Sequence, residues 1–176
     1  VSVILYITNI VSTNFFSLYV TQWLGIESRY LAFFPILNAA VMLIFMIGIQ
    51  HKLELVKFRI PMWIGLALYA IAVILLILAP TGSIPFVIVY VFVVAVAGSL
   101  VMPRKDALIQ LNINAEERAR INALIMSFTI AFSSPFGYFA GWLSSIDRRL
   151  PFMFSFALFL VAIIIVGRIR DPEFSK

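Results

Sequence analysis

Residues 60–103 read IPMWIGLALYAIAVILLILAPTGSIPFVIVYVFVVAVAGSLVMP, 44 positions without one Asp, Glu, Lys or Arg. A helix crosses a bilayer in about 20 residues, so this stretch is too long for one crossing and suits two. Its middle, Ala79-Pro80-Thr81-Gly82-Ser83-Ile84-Pro85, gathers the proline and glycine that mark a turn. Hydrocarbon offers backbone N–H and C=O groups no partners, so apolar runs of this length must be helical. The in–out alternation of a membrane barrel is absent.

Working outward, charges punctuate the chain. Toward the N-terminus, residues 51–59 are basic and 30–50 are clean. Glu27 and Arg29 follow, and residues 1–26 carry no charge. Toward the C-terminus, residues 104–120 are charged throughout, and 121–146 are clean. Asp147, Arg148 and Arg149 form a short turn before a last apolar run, 150–167. The reading is an all-α polytopic membrane protein, one bundle over residues 1–176. Its six spans lie near 2–22, 30–50, 60–79, 85–111, 119–144 and 151–168.

Composition agrees. Of 176 residues, 63% are hydrophobic and 12% charged, against roughly 45–50% and 25% in a soluble domain. Mean hydropathy is +1.08. A soluble core of this size cannot hide so much apolar surface, and too few charges remain to coat it. A secreted globular domain, a disordered chain and a nucleic-acid-binding module are excluded, and the lipid bilayer is the expected partner. There is no cysteine, hence no disulfide framework, thiolate metal site or cysteine nucleophile.

Lysine and arginine set the expected orientation. With both ends and the second and fourth loops on one side, that side holds ten: Lys52, Lys57, Arg59, Arg104, Lys105, Arg118, Arg120, Arg168, Arg170 and Lys176. The other side holds three: Arg29, Arg148 and Arg149. Basic residues concentrate on the cytoplasmic side, so both termini are expected there, in a cell membrane. Trp23 and Trp142 then lie near the outer interface and Trp63 near the inner one. Val1 opens the chain with no basic segment before the first span, unlike a signal peptide. The expectation is a cut edge: part of a longer protein, or a missing start.

The spans differ in polarity. The third is apolar apart from Tyr69, and the sixth has only Ser155 inside it; both read as lipid-facing on most sides. In the first, Ser2, Tyr6, Asn9, Thr13 and Ser17 share roughly an 80° arc at ~100° per residue, with Ser12 and Asn14 off it. Such a stripe either lines a water-filled cavity or serves as polar glue between helices. In the fifth span Asn122, Thr129 and Ser133 share a face. Beside them Ser133, Gly137, Gly141 and Ser145 recur every four residues, a spacing that lets helix backbones approach. Pro135 is expected to bend this span. Asn38 and Ser99 are lone polar residues in the second and fourth spans. Pro35, Gly48, Gly98 and Pro103 mark kinks or close packing.

Arg104, Lys105 and Asp106 begin 19 residues after Pro85, roughly 30 Å along a helix and so near the inner edge of the hydrocarbon. They either snorkel at the interface or form ion pairs of a cytoplasmic gate. Asn114 and Glu117 have the spacing of a helix-capping box, and Glu116 and Arg120 that of a helix-surface ion pair. His51, the single histidine, lies in a basic loop. No metalloprotease, serine-hydrolase or phosphate-loop motif is present. The chain therefore does not read as an enzyme, and no metal or cofactor is expected.

Six helices with both ends inside resemble the C-terminal half of a major facilitator superfamily transporter, over essentially the whole chain. In that half the third and sixth helices are peripheral, and here these are the plainest apolar spans. The run from Pro103 through Arg118-Ala119-Arg120-Ile121-Asn122 to Pro135-Phe136-Gly137 is similar to the family's tenth and eleventh helices and their loop. Gly48-Ile49-Gln50-His51-Lys52, with Lys57 and Arg59, is similar to the degenerate second copy of the family's glycine-plus-basic loop signature. The signature's acid and second glycine have no counterpart.

The resemblance implies alternating access about a midplane site shared by two six-helix halves. Tyr6, Asn9, Thr13, Ser17, Asn38, Ser99, Asn122, Thr129 and Ser133 would line this half of the substrate cavity, with Phe15, Phe16 and Phe132 as apolar walls. Lys52, Arg104, Lys105, Asp106 and Arg118 would form a cytoplasmic gate, and Gly137 and Gly141 would pack helices. The partners implied are a second half, covalent or a homodimer mate, and a small-molecule substrate. Efflux of neutral or amphipathic compounds is the expected activity, because no charge lies deep in the polar spans. A six-helix channel, a scaffold subunit and a half-size homodimeric transporter remain the alternatives.

Overall fold

The computed structural model describes residues 1–48, 59–111, 113 and 117–168. Six helices in it are long and apolar enough to cross a membrane, and the described residues contain no strand. We label them α1 (Ser2–Leu18), α2 (Phe33–Gly48), α3 (Arg59–Ile77), α4 (Ile84–Leu111), α5 (Arg118–Ile146) and α6 (Leu150–Arg168). The architecture is all-α and suggests a multi-pass membrane protein.

Helix α1 does not stop at Leu18. It widens into a π-helical turn, Tyr19–Trp23, in which the Leu24 N–H donates to the Tyr19 carbonyl at 3.0 Å. Gly25, at φ +68°, takes the left-handed conformation that ends the helix. The Ile26 N–H then reaches back to the Val20 carbonyl at 3.0 Å. A single 3₁₀ turn, Ser28–Tyr30, leads into α2. The other turn read from the sequence joins α3 to α4. There Gly82, at φ +77°, donates its N–H to the Leu24 carbonyl at 2.6 Å, so two turns at one end of the bundle are tied together. Helices α4 and α5 continue through Pro103 and Pro135 respectively.

Packing runs α2 on α4, α4 on α3, and α3 on α6; α6 then meets the paired helices α1 and α5. The core lies among α1, α3, α4 and α6 and includes Tyr19, Leu66, Leu76, Val87, Val101 and Phe152. Phe16 of α1 joins α2 and α4 by ring contacts to Phe34 at 5.8 Å and Tyr90 at 5.5 Å. Tyr69 stacks on Phe159 at 5.0 Å, locking α3 to α6. At the opposite end from the two tied turns, the Arg59 guanidinium donates to the Gly167 carbonyl, a cation on the carbonyl end of α6.

The expectation that the third and sixth spans face lipid on most sides is corrected. Buried residues make up 44% of the third span's most apolar stretch and 50% of the fourth's, against 6% in the second and 17% in the fifth. The sixth, at 33%, equals the first. The reason lies in small residues. A Cβ built on Gly65 would stand 2.5 Å from Val101 Cγ2 and 3.1 Å from the Ala97 carbonyl oxygen, so α3 and α4 meet almost backbone to backbone. Only one stripe of α3, including Ile60, Trp63, Ile64, Ile71 and Ile74, is exposed. An apolar helix suits lipid and protein equally, and lack of polar residues does not say which covers it.

Helix α5 buries small and hydroxyl-bearing residues and exposes large apolar ones. Thr129, Ser133, Ala140 and Ser144 are buried. Leu124, Met126, Phe128, Phe132, Tyr138 and Trp142 are exposed.

Candidate functional site

On α1, Leu5, Thr8, Val11 and Tyr19 point into the core. That rotation turns Asn9, Thr13 and Ser17 out of it, and all three are exposed. The polar stripe of the first span is therefore the outer wall of this bundle, not its interior seam. Ser12 sits between the two faces, within hydrogen-bonding reach of the Tyr90 phenol.

Near the start of α1 the stripe becomes one wall of a cavity of about 400 Å³. Three helices build it with the same spacing. α1 supplies Ser2, Leu5, Tyr6 and Asn9; α4 supplies Met102, Lys105, Asp106 and Ile109; α5 supplies Asn122, Ile125, Met126 and Thr129. Each set is i, i+3, i+4, i+7, one helix face two turns long. The cavity thus runs roughly 10 Å along the helices at 1.5 Å per residue. Leu5, Asn9 and Met102 also border a second, inner void of about 70 Å³, whose polar lining adds Thr8, Ser12, Tyr69 and Tyr90. The inner void has room for about two waters and enough polar groups to hold them.

The cavity brings together residues expected to play different parts. Tyr6, Asn9, Asn122 and Thr129 stand in it beside Lys105 and Asp106, two of the residues assigned to a gate. Lys105 Nζ lies 3.1 Å from Asp106 Oδ1, with the lysine side chain 24% exposed and the aspartate 57%. Sequence reasoning placed these charges at the membrane edge but did not join them to the polar stripe. The i, i+3, i+4, i+7 match of Met102–Ile109 with Ser2–Asn9 was the signal that could have joined them.

The remaining predicted site residues lie elsewhere. Thr13 and Ser17 continue the exposed wall beyond the cavity, and Asn38 is half-buried on α2. Ser99 is buried and donates within its own helix, to Val96 O at 2.8 Å and Ala95 O at 3.1 Å, so its hydroxyl has no need of a ligand. Ser133 is fully buried and its hydroxyl has no partner in the structure. Arg104 is buried and does not line the cavity. Arg118 is exposed at the start of α5. Lys52, with His51, lies outside the described residues.

Gly137 and Gly141 face α1, but a Cβ there would meet Ile10 Cγ2 at 3.8 Å and Phe15 Cζ at 3.9 Å, which is ordinary contact. Gly98 is tighter, at 3.0 Å from the Tyr69 hydroxyl. Gly48 has open space around it. Helix α5 starts at Arg118 with Glu117 as its N-cap and no side-chain cap, three residues later than a cap at Asn114 would place it. The other members of the proposed box, and Glu116, lie outside the described residues.

At the tied end of the bundle, Arg149 lies over the Trp23 ring, 4.4 Å from its centroid. Arg148 donates to the Ser144 carbonyl at 3.1 Å and hydroxyl at 2.9 Å, on the carbonyl end of α5. Two of the three basic residues counted for the outer side thus hold helix ends in place. Among the described residues no three His, Cys, Asp or Glu side chains gather as metal ligands do.

No family model, curated protein or solved structure matches the chain.

Proposed function

We propose that this chain is one six-helix half of a secondary transporter that moves a small molecule by alternating access, as its resemblance to the C-terminal half of a major facilitator superfamily transporter implies. The observation that carries the reading is the outward-turned polar wall of α1. Asn9, Thr13 and Ser17 are exposed on the bundle and run into a cavity shared with α4 and α5. Amide and hydroxyl groups are costly against hydrocarbon unless they are satisfied. A wall of them needs water, cargo or a second bundle in front of it.

The same reading accounts for α2 and α5, the two least buried helices. Helix α5 borders the wall at the cavity, and both helices would seat the second half, whether covalent or a second copy. The ends and the Lys/Arg-rich loops lie in the cytoplasm on the ten-to-three count of basic residues. Rocking of two such bundles would open the wall to one side at a time. The cargo is a neutral or amphipathic small molecule, and efflux is the favoured direction.

Two measurements test this. The intact mass of the native product should be about twice the 19.8 kDa of this chain or slightly more. A mass near that of one bundle would instead leave the homodimer, channel and scaffold readings. A cysteine placed at Thr13 should react with a membrane-impermeant maleimide from either side of the membrane, and a ligand that traps one state should protect it from one side. Equal, ligand-independent reaction from both sides would indicate a channel. No reaction from either side would make the stripe a dry helix contact and overturn the transporter reading.

A further inference from the structure

From the cavity among α1, α4 and α5 we infer the class of cargo: a zwitterion, a small molecule whose cationic and anionic groups replace the Lys105–Asp106 pair. This rests on the transporter reading and narrows it.

The argument starts from the pair itself. Adjacent residues on a helix do not face each other, so Lys105 and Asp106 meet only by bending both side chains toward a shared point. A pair made that way, between side chains still partly open to solvent, is weak and easily exchanged. Both side chains line the cavity, so a ligand entering it meets both charges together.

Electroneutrality then selects the ligand. A cation that took Asp106 would sit beside the Lys105 ammonium, which repels it. An anion that took Lys105 would be repelled in the same way by the Asp106 carboxylate. Because both side chains keep contact with solvent, this repulsion by the second member of the pair, and not a burial cost, disfavours a singly charged ligand. An uncharged cargo would leave the pair closed and gain nothing from it. A zwitterion opens it into two pairs, its ammonium on the Asp106 carboxylate and its carboxylate on the Lys105 ammonium, and the site stays neutral throughout.

The rest of the lining fits a molecule of that kind. Asn9 and Asn122 carry both donors and acceptors, and the Tyr6 and Thr129 hydroxyls can act as either. The volume of about 400 Å³ falls in the range of small-molecule sites and suits a compound of amino-acid size.

The test is a thermal-shift screen of the full-length protein in detergent with matched probes. The zwitterions are the free α-amino acids, glycine betaine and carnitine. The controls are the amino-acid methyl esters, which are cations, and the N-acetyl amino acids, which are anions. The expected result is stabilisation confined to a subset of zwitterions, their esters and N-acetyl forms binding at least tenfold more weakly. Lys105→Gln and Asp106→Asn should each weaken the best zwitterion at least tenfold. The exchanged pair Lys105→Asp/Asp106→Lys, which restores both charges, should recover measurable binding. This separates a charge requirement from a folding defect. Stabilisation by esters or N-acetyl forms as strong as by zwitterions, or no response to any zwitterion, would overturn the assignment. If Thr13 labelling still reported alternating access in that case, the cargo class alone would fail; if labelling failed as well, the transporter reading would fall with it.

Discussion

Replacing Gly65 by alanine tests the closest helix contact in the bundle. The added methyl would stand 2.5 Å from Val101 Cγ2, 3.1 Å from Leu100 Cβ and 3.1 Å from the Ala97 carbonyl oxygen. Carbon atoms in good contact lie about 3.5–4.0 Å apart, so the first distance must open by about 1 Å. Val101 is fully buried and β-branched, with little rotamer freedom to yield. The carbonyl oxygen belongs to the α4 backbone, so α3 and α4 must separate along their shared face. Overpacking of this kind costs about 1–3 kcal/mol. Alanine's helix preference over glycine returns at most about 1 kcal/mol, leaving a net loss of up to about 2 kcal/mol when that gain is realised in full. Gly137→Ala and Gly141→Ala are internal controls, since their nearest atoms lie at 3.8 and 3.9 Å; both should be neutral or slightly stabilising. Thermal unfolding of the detergent-solubilised protein, followed by size-exclusion fluorescence, ranks the three variants. Val101→Ala, destabilising by itself, should lose less in the Gly65→Ala background, because the two changes share one space. Gly65→Ala as stable as wild type, or indistinguishable from Gly137→Ala, would refute the close approach of α3 and α4.

Other outcomes follow from single contacts. Ser133→Ala removes a buried hydroxyl without a partner and should be neutral or stabilise the isolated bundle by up to about 1 kcal/mol. A loss above about 1 kcal/mol in the full-length protein, read by thermal unfolding, would mean that the hydroxyl has a partner outside this chain. Arg149→Ala should cost about 1–2 kcal/mol by losing the cation over Trp23, with Arg149→Lys costing less; a change within about 0.5 kcal/mol would show that the pair contributes little. Arg59→Ala should cost about 1 kcal/mol by removing the cation from the carbonyl end of α6, and hydrogen exchange at residues 164–168 should rise. Unchanged exchange there would discount the tie.

The spans were readable because crossing a membrane is a local problem. Residues 85–111 were expected to be one helix and α4 is Ile84–Leu111; 119–144 became Arg118–Ile146 and 151–168 became Leu150–Arg168. The differences cluster at ends. The second span, expected from residue 30, begins as a 3₁₀ turn at Ser28 and becomes α-helical only at Phe33. The π turn at Tyr19–Trp23 has no mark in the residue pattern; its first residue, Tyr19, donates to the Leu76 carbonyl at 3.1 Å and lies 4.9 Å from the Phe152 ring, contacts that exist only in the folded bundle. The site was half legible. Tyr6, Asn9, Asn122 and Thr129 could be picked out as polar groups on helix faces. Ser99 could not be set apart from them, because a hydroxyl satisfied by its own helix looks the same in sequence as one that awaits a ligand.

The sequence by itself determined that the described residues hold six membrane-length helices, and roughly where each lies, but not their exact ends. Backbone groups in hydrocarbon must be satisfied within their own segment, so length, apolarity and the placing of charges and turn residues suffice. The tertiary structure alone decided which face of each helix is covered. It set α3 against α4 at Gly65, left α2 and α5 open, and turned the polar stripe of α1 outward into a cavity holding Lys105 and Asp106. Lipid tails are as apolar as the side chains that pack helices together, so hydrophobicity carries no information about that choice. Shape does, and shape exists only once the helices meet.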